Sequence, residues 1–199
     1  RVDRRQRQMC IRDRPLTEMS KAAKKPENVI GMHYFSPVPK MPLLEIIKTD
    51  QTSEETLATC YEIGKRQGKT CIVVNDMPGF YVNRILCPYL IEGLLMIEEG
   101  VRIEDIDGAL TSLGMPIGPI TLLDEVGIDV GAHVMSGNMA QLLKGREGFK
   151  INYSMPKMFE AGLHGRKAKK GFYNYAMKKG RLRKTCLLYT SPSPRDATL

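Results

Sequence analysis

The sequence predicts the closing part of an α/β sheet domain followed by an all-helical domain. Two features carry that expectation. Between Asn28 and Asn75 the order reads strand, strand, helix, strand, with short apolar, β-prone runs bounded by turn residues. After Met77-Pro78-Gly79 the apolar residues recur at helical spacing, punctuated by glycine and proline, so a domain boundary is expected near Pro78 and Gly79. A chain of 199 residues with 42% apolar and 26% charged content has room for one domain or two small ones.

The first element, VIGMHYF after Asn28, reads as a buried strand stopped by Ser36-Pro37. LLEII, Leu43 to Ile47, reads as a second strand after a turn through Pro37, Pro39 and Pro42. Thr52 and Ser53 ahead of Glu54 and Glu55 form a helix start, and Leu57, Cys60 and Ile63 make the apolar face of a helix reaching Gly68. CIVVN, Cys71 to Asn75, is the third strand. In the second part, Arg84 to Gly100 is expected to be a helix presenting Ile85, Leu86, Leu90, Leu94, Leu95 and Ile97, with Pro88 near its first turn. Ile103 to Leu113 is a shorter helix with Glu104 and Asp105 at its N-terminus. MPIGPITLLDEVGIDVGAHVM starts as a proline-rich turn and continues as one apolar helix suited to a buried or subunit-facing position. The basic run Lys178 to Lys184 reads as a solvated tail.

Composition narrows the function classes. No run of 18 apolar residues and no secretory-type leader occurs, and the cysteines form neither a CxxC pair nor a Cys/His cluster. A zinc site or disulfide framework is therefore not expected. The net charge of +8 first suggests a polyanion partner. Arg1 to Arg14 holds six arginines against Asp3 and Asp13, a net of +4, and Cys186 to Leu199 nets zero, so the middle carries only +4. A basic nucleic-acid-binding module remains the competing reading, but no interleaved aromatics or recognition-helix pattern accompanies the charge.

Both ends look foreign to the middle. Gln8-Met9-Cys10-Ile11-Arg12-Asp13-Arg14 can be encoded by CAG ATG TGT ATA AGA GAC AGR. The reverse complement of its shared part contains TGT CTC TTA TAC ACA TCT, which encodes the Cys-Leu-Leu-Tyr-Thr-Ser found at Cys186 to Ser191. This inverted repeat resembles a transposase-type library adapter translated in frame. The expected organisation is an adapter-like tail over 1–14, an α/β part over 15–78, a helical part over 79–185, and a second adapter-like tail over 186–199.

Three residues of the middle invite chemistry. His33 on an apolar strand is either a satisfied structural histidine or a general base. Glu45, flanked by two leucines and two isoleucines, is costly to bury unless paired. Two strands joined by a short proline turn could bring it beside His33, as an acid that holds a base in one tautomer. Asn83 follows a Gly-Phe-Tyr turn and is either a helix N-cap or an amide donor toward a substrate carbonyl.

The strings GMHYFSPVPKMPLLEII, DMPGFYVNRIL, LGMPIGPITLLDEVGID and GRKAKKGFYNY stand in the order and spacing of the L-3-hydroxyacyl-CoA dehydrogenase family. Over Pro15 to Tyr175 the chain resembles that family, and within it the dehydrogenase segment of the multifunctional α subunits of fatty-acid oxidation complexes, which carry a hydratase elsewhere. The resemblance implies the truncated end of a Rossmann-type NAD-binding domain, then a helical C-terminal domain. It implies oxidation of 3-hydroxyacyl-CoA to 3-oxoacyl-CoA, and NAD as cofactor. His33 matches the proton-accepting histidine, Glu45 its orienting carboxylate, and Asn83 the asparagine near the substrate. Ser36 stands where the family usually has an asparagine touching NAD, and Lys167 matches a basic residue of the helical domain that reaches the cofactor.

The resemblance further implies a homodimer or a thiolase-containing β-oxidation complex. Its location is the cytoplasm in a bacterium and the mitochondrial matrix or peroxisome in a eukaryote. Two departures matter. No GxGxxG follows a strand and no ribose-binding acid follows one, and Gly114-Met-Pro-Ile-Gly118 lies between helices and is no substitute. The family's substrate-binding serine would fall just before Pro15. The chain on its own is therefore expected to be an inactive piece, with docking or dimerisation as the alternative role.

Overall fold

A computed structural model describes residues 15–136, 150, 154–178 and 180–187. The adapter-like segment 1–14 and the part of its counterpart over 188–199 lie outside the described residues. The chain divides into two compact units, Arg1–Arg84 and Ile85–Leu199. Among the described residues no helix is long and apolar enough to cross a membrane.

The first unit contains α1 (Leu16–Lys21), β1 (Gly31–Tyr34), β2 (Leu43–Lys48), α2 (Glu54–Arg66) and β3 (Thr70–Asn75). The sheet has the order β1-β2-β3. β1 and β2 are antiparallel, with Gly31 opposite Ile47 and His33 opposite Glu45, and β2 and β3 are parallel through the α2 crossover. β2 is the centre of the sheet, and Leu44, Glu45, Ile46 and Ile47 are all buried. That explains why its apolar residues do not alternate with polar ones and only Glu45 interrupts them, since a strand covered on both faces has no solvent side.

β1 is shorter than expected, since Val29, Ile30 and Phe35 fall outside it, and it is preceded by a 3-10 turn at Pro26–Asn28. Just beyond it, the Val29 carbonyl is taken by Thr52 Oγ1 at 2.8 Å instead of a neighbouring strand. α2 starts as predicted: Ser53 is the N-cap, and its Oγ accepts the Thr56 N–H at 3.2 Å. The predicted contact face is corrected, because Ile63 is exposed and the closest approach to the sheet runs through buried Gly64. A Cβ there would meet Cys71 Sγ at 2.4 Å and Leu44 Cδ2 at 2.8 Å, so only glycine lets the helix lie this close. α1, unmarked by sequence pattern, is fixed by Asp76, which accepts the Thr17 N–H and hydroxyl, each at 2.7 Å.

The boundary between units falls within α3 (Val82–Glu98). The second unit continues with α4 (Ile103–Ser112), α5 (Pro119–Val126), α6 (Ile128–Ser136), α7 (Ser154–Glu160), a 3-10 turn at Arg166–Ala168, and the strands β4 (Tyr173–Lys178) and β5 (Arg181–Leu187). Its core gathers Ile91, Leu94, Ile106, Ile120, Leu123, Ile128, Met155, Phe172, Tyr173 and Tyr175.

Four expectations are revised here. Pro88 lies inside α3 and not near its first turn. Ile85 is exposed, and the buried face is centred on Ile91 and Leu94. The long apolar helix is two helices broken at Gly127, whose φ of 106° a side chain rarely tolerates. The unit is not all-helical, and Lys178 to Lys184 is not a loose tail, because β4 and β5 form an antiparallel hairpin. Lys184 Nζ donates to Thr121 Oγ1 at 2.7 Å and sits 4.2 Å above the Tyr173 ring, which holds the second strand down. The hairpin continues into the segment read as adapter-like, pairing Cys186 with Asn174 and Leu187 with Tyr173.

Candidate active site

The antiparallel register of β1 and β2 sets His33 opposite Glu45, and directly opposed residues share one face of the sheet. Their side chains meet, with His33 Nδ1 and Glu45 Oε2 2.7 Å apart. The Glu45 side chain is fully buried, while the His33 side chain is 21% exposed. Oε1 of Glu45 accepts two further hydrogen bonds, from the Tyr81 N–H at 3.0 Å and the Val82 N–H at 2.9 Å. Burial alone would push this carboxyl upward. The hydrogen bond from His33, the Val82 and Tyr81 donors and the nearby imidazole outweigh burial, and Glu45 sits below its ordinary value of 4.5.

An ionised carboxylate only accepts, so the neutral imidazole facing it carries its proton on Nδ1. Nε2 then holds the free lone pair and has no protein partner among the described residues. The ring is flanked by Phe35, with centroids 4.7 Å apart, and by Phe80 at 5.6 Å. Such an arrangement can act as a general base, with a fixed tautomer and one open nitrogen.

The other predicted residues are placed as follows. Asn83 is the second residue of α3, half-buried, directly after the Val82 amide that binds Glu45. It is not the N-cap of that helix, because the Glu45 carboxylate engages the amides there. Ser36 is exposed, two residues beyond the end of β1. Lys167 belongs to the second unit, in the 3-10 turn, where Nζ forms an ion pair with Asp129 of α6.

Sequence reading missed Phe80 and the backbone amides of Tyr81 and Val82. An amide carries no side-chain signature, and only the glycine of DMPGFYVN hinted at an unusual turn. It also missed two buried carboxylates of the second unit. Asp124 accepts the Phe172 and Tyr173 N–H groups and the Tyr175 hydroxyl, all at 2.9 Å. Asp107 accepts the Ile120 N–H at 2.9 Å and the Tyr173 hydroxyl at 2.8 Å. Burial pushes Asp124 above the usual carboxylate range, more than those donors and Lys184 pull it down. Burial and the adjoining carboxylates raise both tyrosine hydroxyls. These groups tie α4, α5 and the hairpin together and make the LLDEVGID and GFYNY motifs structural. A cavity of about 610 Å³ opens beside them, between Glu104, Thr111, Tyr173 and Lys184, and it shares no residue with the His33 group.

A parallel β2–α2–β3 crossover, edged by an antiparallel strand whose histidine meets a buried carboxylate, is an α/β sheet end with a site suited to general-base chemistry. The chain belongs to the 3-hydroxyacyl-CoA dehydrogenase family. Residues 13–77 match its NAD-binding domain and residues 79–175 its C-terminal domain. It is 48% identical over 168 residues to the fatty acid oxidation complex subunit alpha of Vibrio parahaemolyticus, covering 83% of this chain and 23% of that one. Among solved structures it is similar to FadB2 of M. tuberculosis, at 35% identity and a TM-score of 0.77, covering 82% of this chain and 58% of that one. It is also similar to the (S)-3-hydroxybutyryl-CoA dehydrogenase PaaH1 of Ralstonia eutropha, at 35% identity and a TM-score of 0.75, covering 83% and 58%. The chain spans about a quarter of the length of the curated relatives it matches.

The described residues do not by themselves fit a dinucleotide. The β2–α2–β3 crossover turns through Thr49 to Ser53 without a glycine, and the Ser53 side chain already occupies the α2 N-terminus. A pyrophosphate needs that position open.

Proposed function

We propose that this chain is the catalytic segment of an NAD-dependent L-3-hydroxyacyl-CoA dehydrogenase of fatty-acid β-oxidation, which oxidises 3-hydroxyacyl-CoA to 3-oxoacyl-CoA. The observation that carries the proposal is the 2.7 Å contact between His33 Nδ1 and the buried Glu45, which leaves Nε2 as an open base. NAD is the hydride acceptor of this reaction, and the described residues do not hold it. Within this chain, His33 Nε2 takes the proton of the substrate 3-hydroxyl. Glu45 keeps the imidazole in the accepting tautomer and stabilises the imidazolium that results. Asn83, one residue beyond the Glu45-bound amides, is suited to donate its amide hydrogen to the substrate carbonyl. Ser36 and Lys167 are assigned as cofactor contacts of the complete enzyme, and Lys167 must leave or share Asp129 to serve.

The similarity to α subunits of fatty acid oxidation complexes supports a longer parent that works within such a complex. We assign to that parent a dimer or a thiolase-containing assembly, in the cytoplasm of a bacterium or in the mitochondrial matrix or peroxisome of a eukaryote. The test is His33→Gln in that full-length parent. Since proton removal belongs to the transition state, kcat should fall about 10²- to 10⁴-fold with KM little changed. Unchanged kcat would remove the assignment.

A further inference from the structure

We propose that Phe80 is a positioning residue, whose ring, delivered by a left-handed backbone turn, holds the His33 imidazole in the plane that keeps Nδ1 on Glu45 and Nε2 outward. The observation begins with the backbone. Phe80 has φ of 48° and directly follows Gly79 at 74°. A bulky aromatic residue is a poor occupant of this region, because its Cβ crowds the neighbouring backbone. Such a conformation persists only where its surroundings over-determine it.

Two sets of contacts do so here. The Phe80 N–H donates to the Met77 carbonyl at 2.8 Å and closes the turn. The next two amides, of Tyr81 and Val82, converge on Glu45 Oε1 at 3.0 and 2.9 Å. With the backbone committed in this way, the Phe80 side chain falls on His33, with centroids 5.6 Å apart and planes tilted by 56°. That is a favourable tilted aromatic contact.

Glu45 alone cannot do this work. A single hydrogen bond at Nδ1 tolerates a spread of angles, so coupled rotation about χ1 and χ2 can still tilt the imidazole or carry it off Glu45. Packing by Phe80, with Phe35 making the second ring contact at 4.7 Å, removes that freedom. One turn therefore sets both the orienting acid, through its amides, and the plane of the base, through its side chain. The consequence for turnover rests on the reading of His33 as a base, while the positional claim can be tested without turnover.

The test uses the 199-residue chain labelled uniformly with nitrogen-15, in which the histidine imidazole shifts at alkaline pH report which nitrogen carries the proton. The unaltered chain and Phe80→Tyr should both show the His33 proton on Nδ1. Phe80→Leu, which keeps apolar bulk without a ring, should let the imidazole turn away from Glu45 part of the time, so that the His33 nitrogen shifts average toward the other tautomer. Phe80→Gly, which relaxes the backbone and removes the ring, should do the same while the Tyr81 and Val82 amide shifts stay in place, and it decides the matter if Phe80→Leu fails to fold. Unaltered His33 nitrogen shifts in these two variants overturn the proposal, as does failure of Phe80→Tyr to preserve them. In the full-length parent, Phe80→Leu should lower kcat and spare KM. Full activity of His33→Gln there would instead sink the catalytic reading and leave the nitrogen-shift result standing, so the two failures are distinguishable.

Discussion

The Val82 amide donates to Glu45 Oε1 at 2.9 Å, so the carboxylate that orients the candidate base also closes the first turn of α3. One buried charge thus serves the site and the fold together, and this shapes how the chain should respond to acid.

Glu45 is held below its ordinary value of 4.5, so its charged form is favoured in the folded state. The stability it contributes is fully present above the unfolded value and is lost as pH falls through the lower, folded one. Thermal melts of the chain should therefore decline below about pH 4.5, and Glu45→Gln should flatten that decline while costing about 1–3 kcal/mol at pH 7. A variant with the same acid dependence as the parent chain would show that other carboxylates govern the decline.

Gly64 should refuse a side chain for steric reasons alone. A Cβ would stand 2.4 Å from Cys71 Sγ and 2.8 Å from Leu44 Cδ2, and because Leu44 is fully buried its displacement must disturb the core. Gly64→Ala should destabilise the first unit by about 1–3 kcal/mol despite the better helix propensity of alanine. Urea denaturation monitors this, and Cys71→Ala in the same chain should restore part of the loss. An unchanged midpoint for Gly64→Ala would contradict the packing described.

Asp124→Asn should damage the second unit without touching the base. Both carboxylate oxygens accept from donors, and an amide NH₂ in the place of Oδ2 would face the Tyr173 N–H and the Tyr175 hydroxyl. A loss of about 1–3 kcal/mol is expected. The chain has no tryptophan, so near-ultraviolet circular dichroism reports mainly its tyrosines and should weaken in the band they dominate. Retention of that band at full strength would place the tyrosines elsewhere.

The chain as it stands should not bind NAD in the micromolar range. Dinucleotide affinity in this fold class comes from a glycine turn at an open helix N-terminus and an acid on the ribose. The α2 N-terminus is closed by Ser53. Calorimetric titration of the chain with NAD should give no saturable heat, and a micromolar isotherm would refute the requirement.

Much of the site was legible in the chain itself. Glu45 announced itself because a carboxylate inside LLEII cannot be buried without a partner, and a short proline turn left His33 within reach. The same local chemistry marked the Ser53 cap and the three strands. The motifs of the second unit were legible as motifs but not as contacts, since LLDEVGID reads as part of one apolar helix until Gly127 breaks it. The basic stretch after Tyr175 read as solvated, because nothing nearby in sequence reveals that Lys184 will find Thr121, 63 residues away.

Sequence alone marked His33 and Glu45 as a candidate pair, and it determined the α/β-to-helical change after Gly79 and the family. All three depend on residue type and on spacing over short distances, where burial cost and periodicity act directly. Tertiary structure decided how that pair is held: the left-handed turn at Phe80, the amides of Tyr81 and Val82 on Glu45, and the glycine approach of α2. Backbone donors carry no residue signature, and a missing Cβ matters only once another segment has come within 3 Å of it.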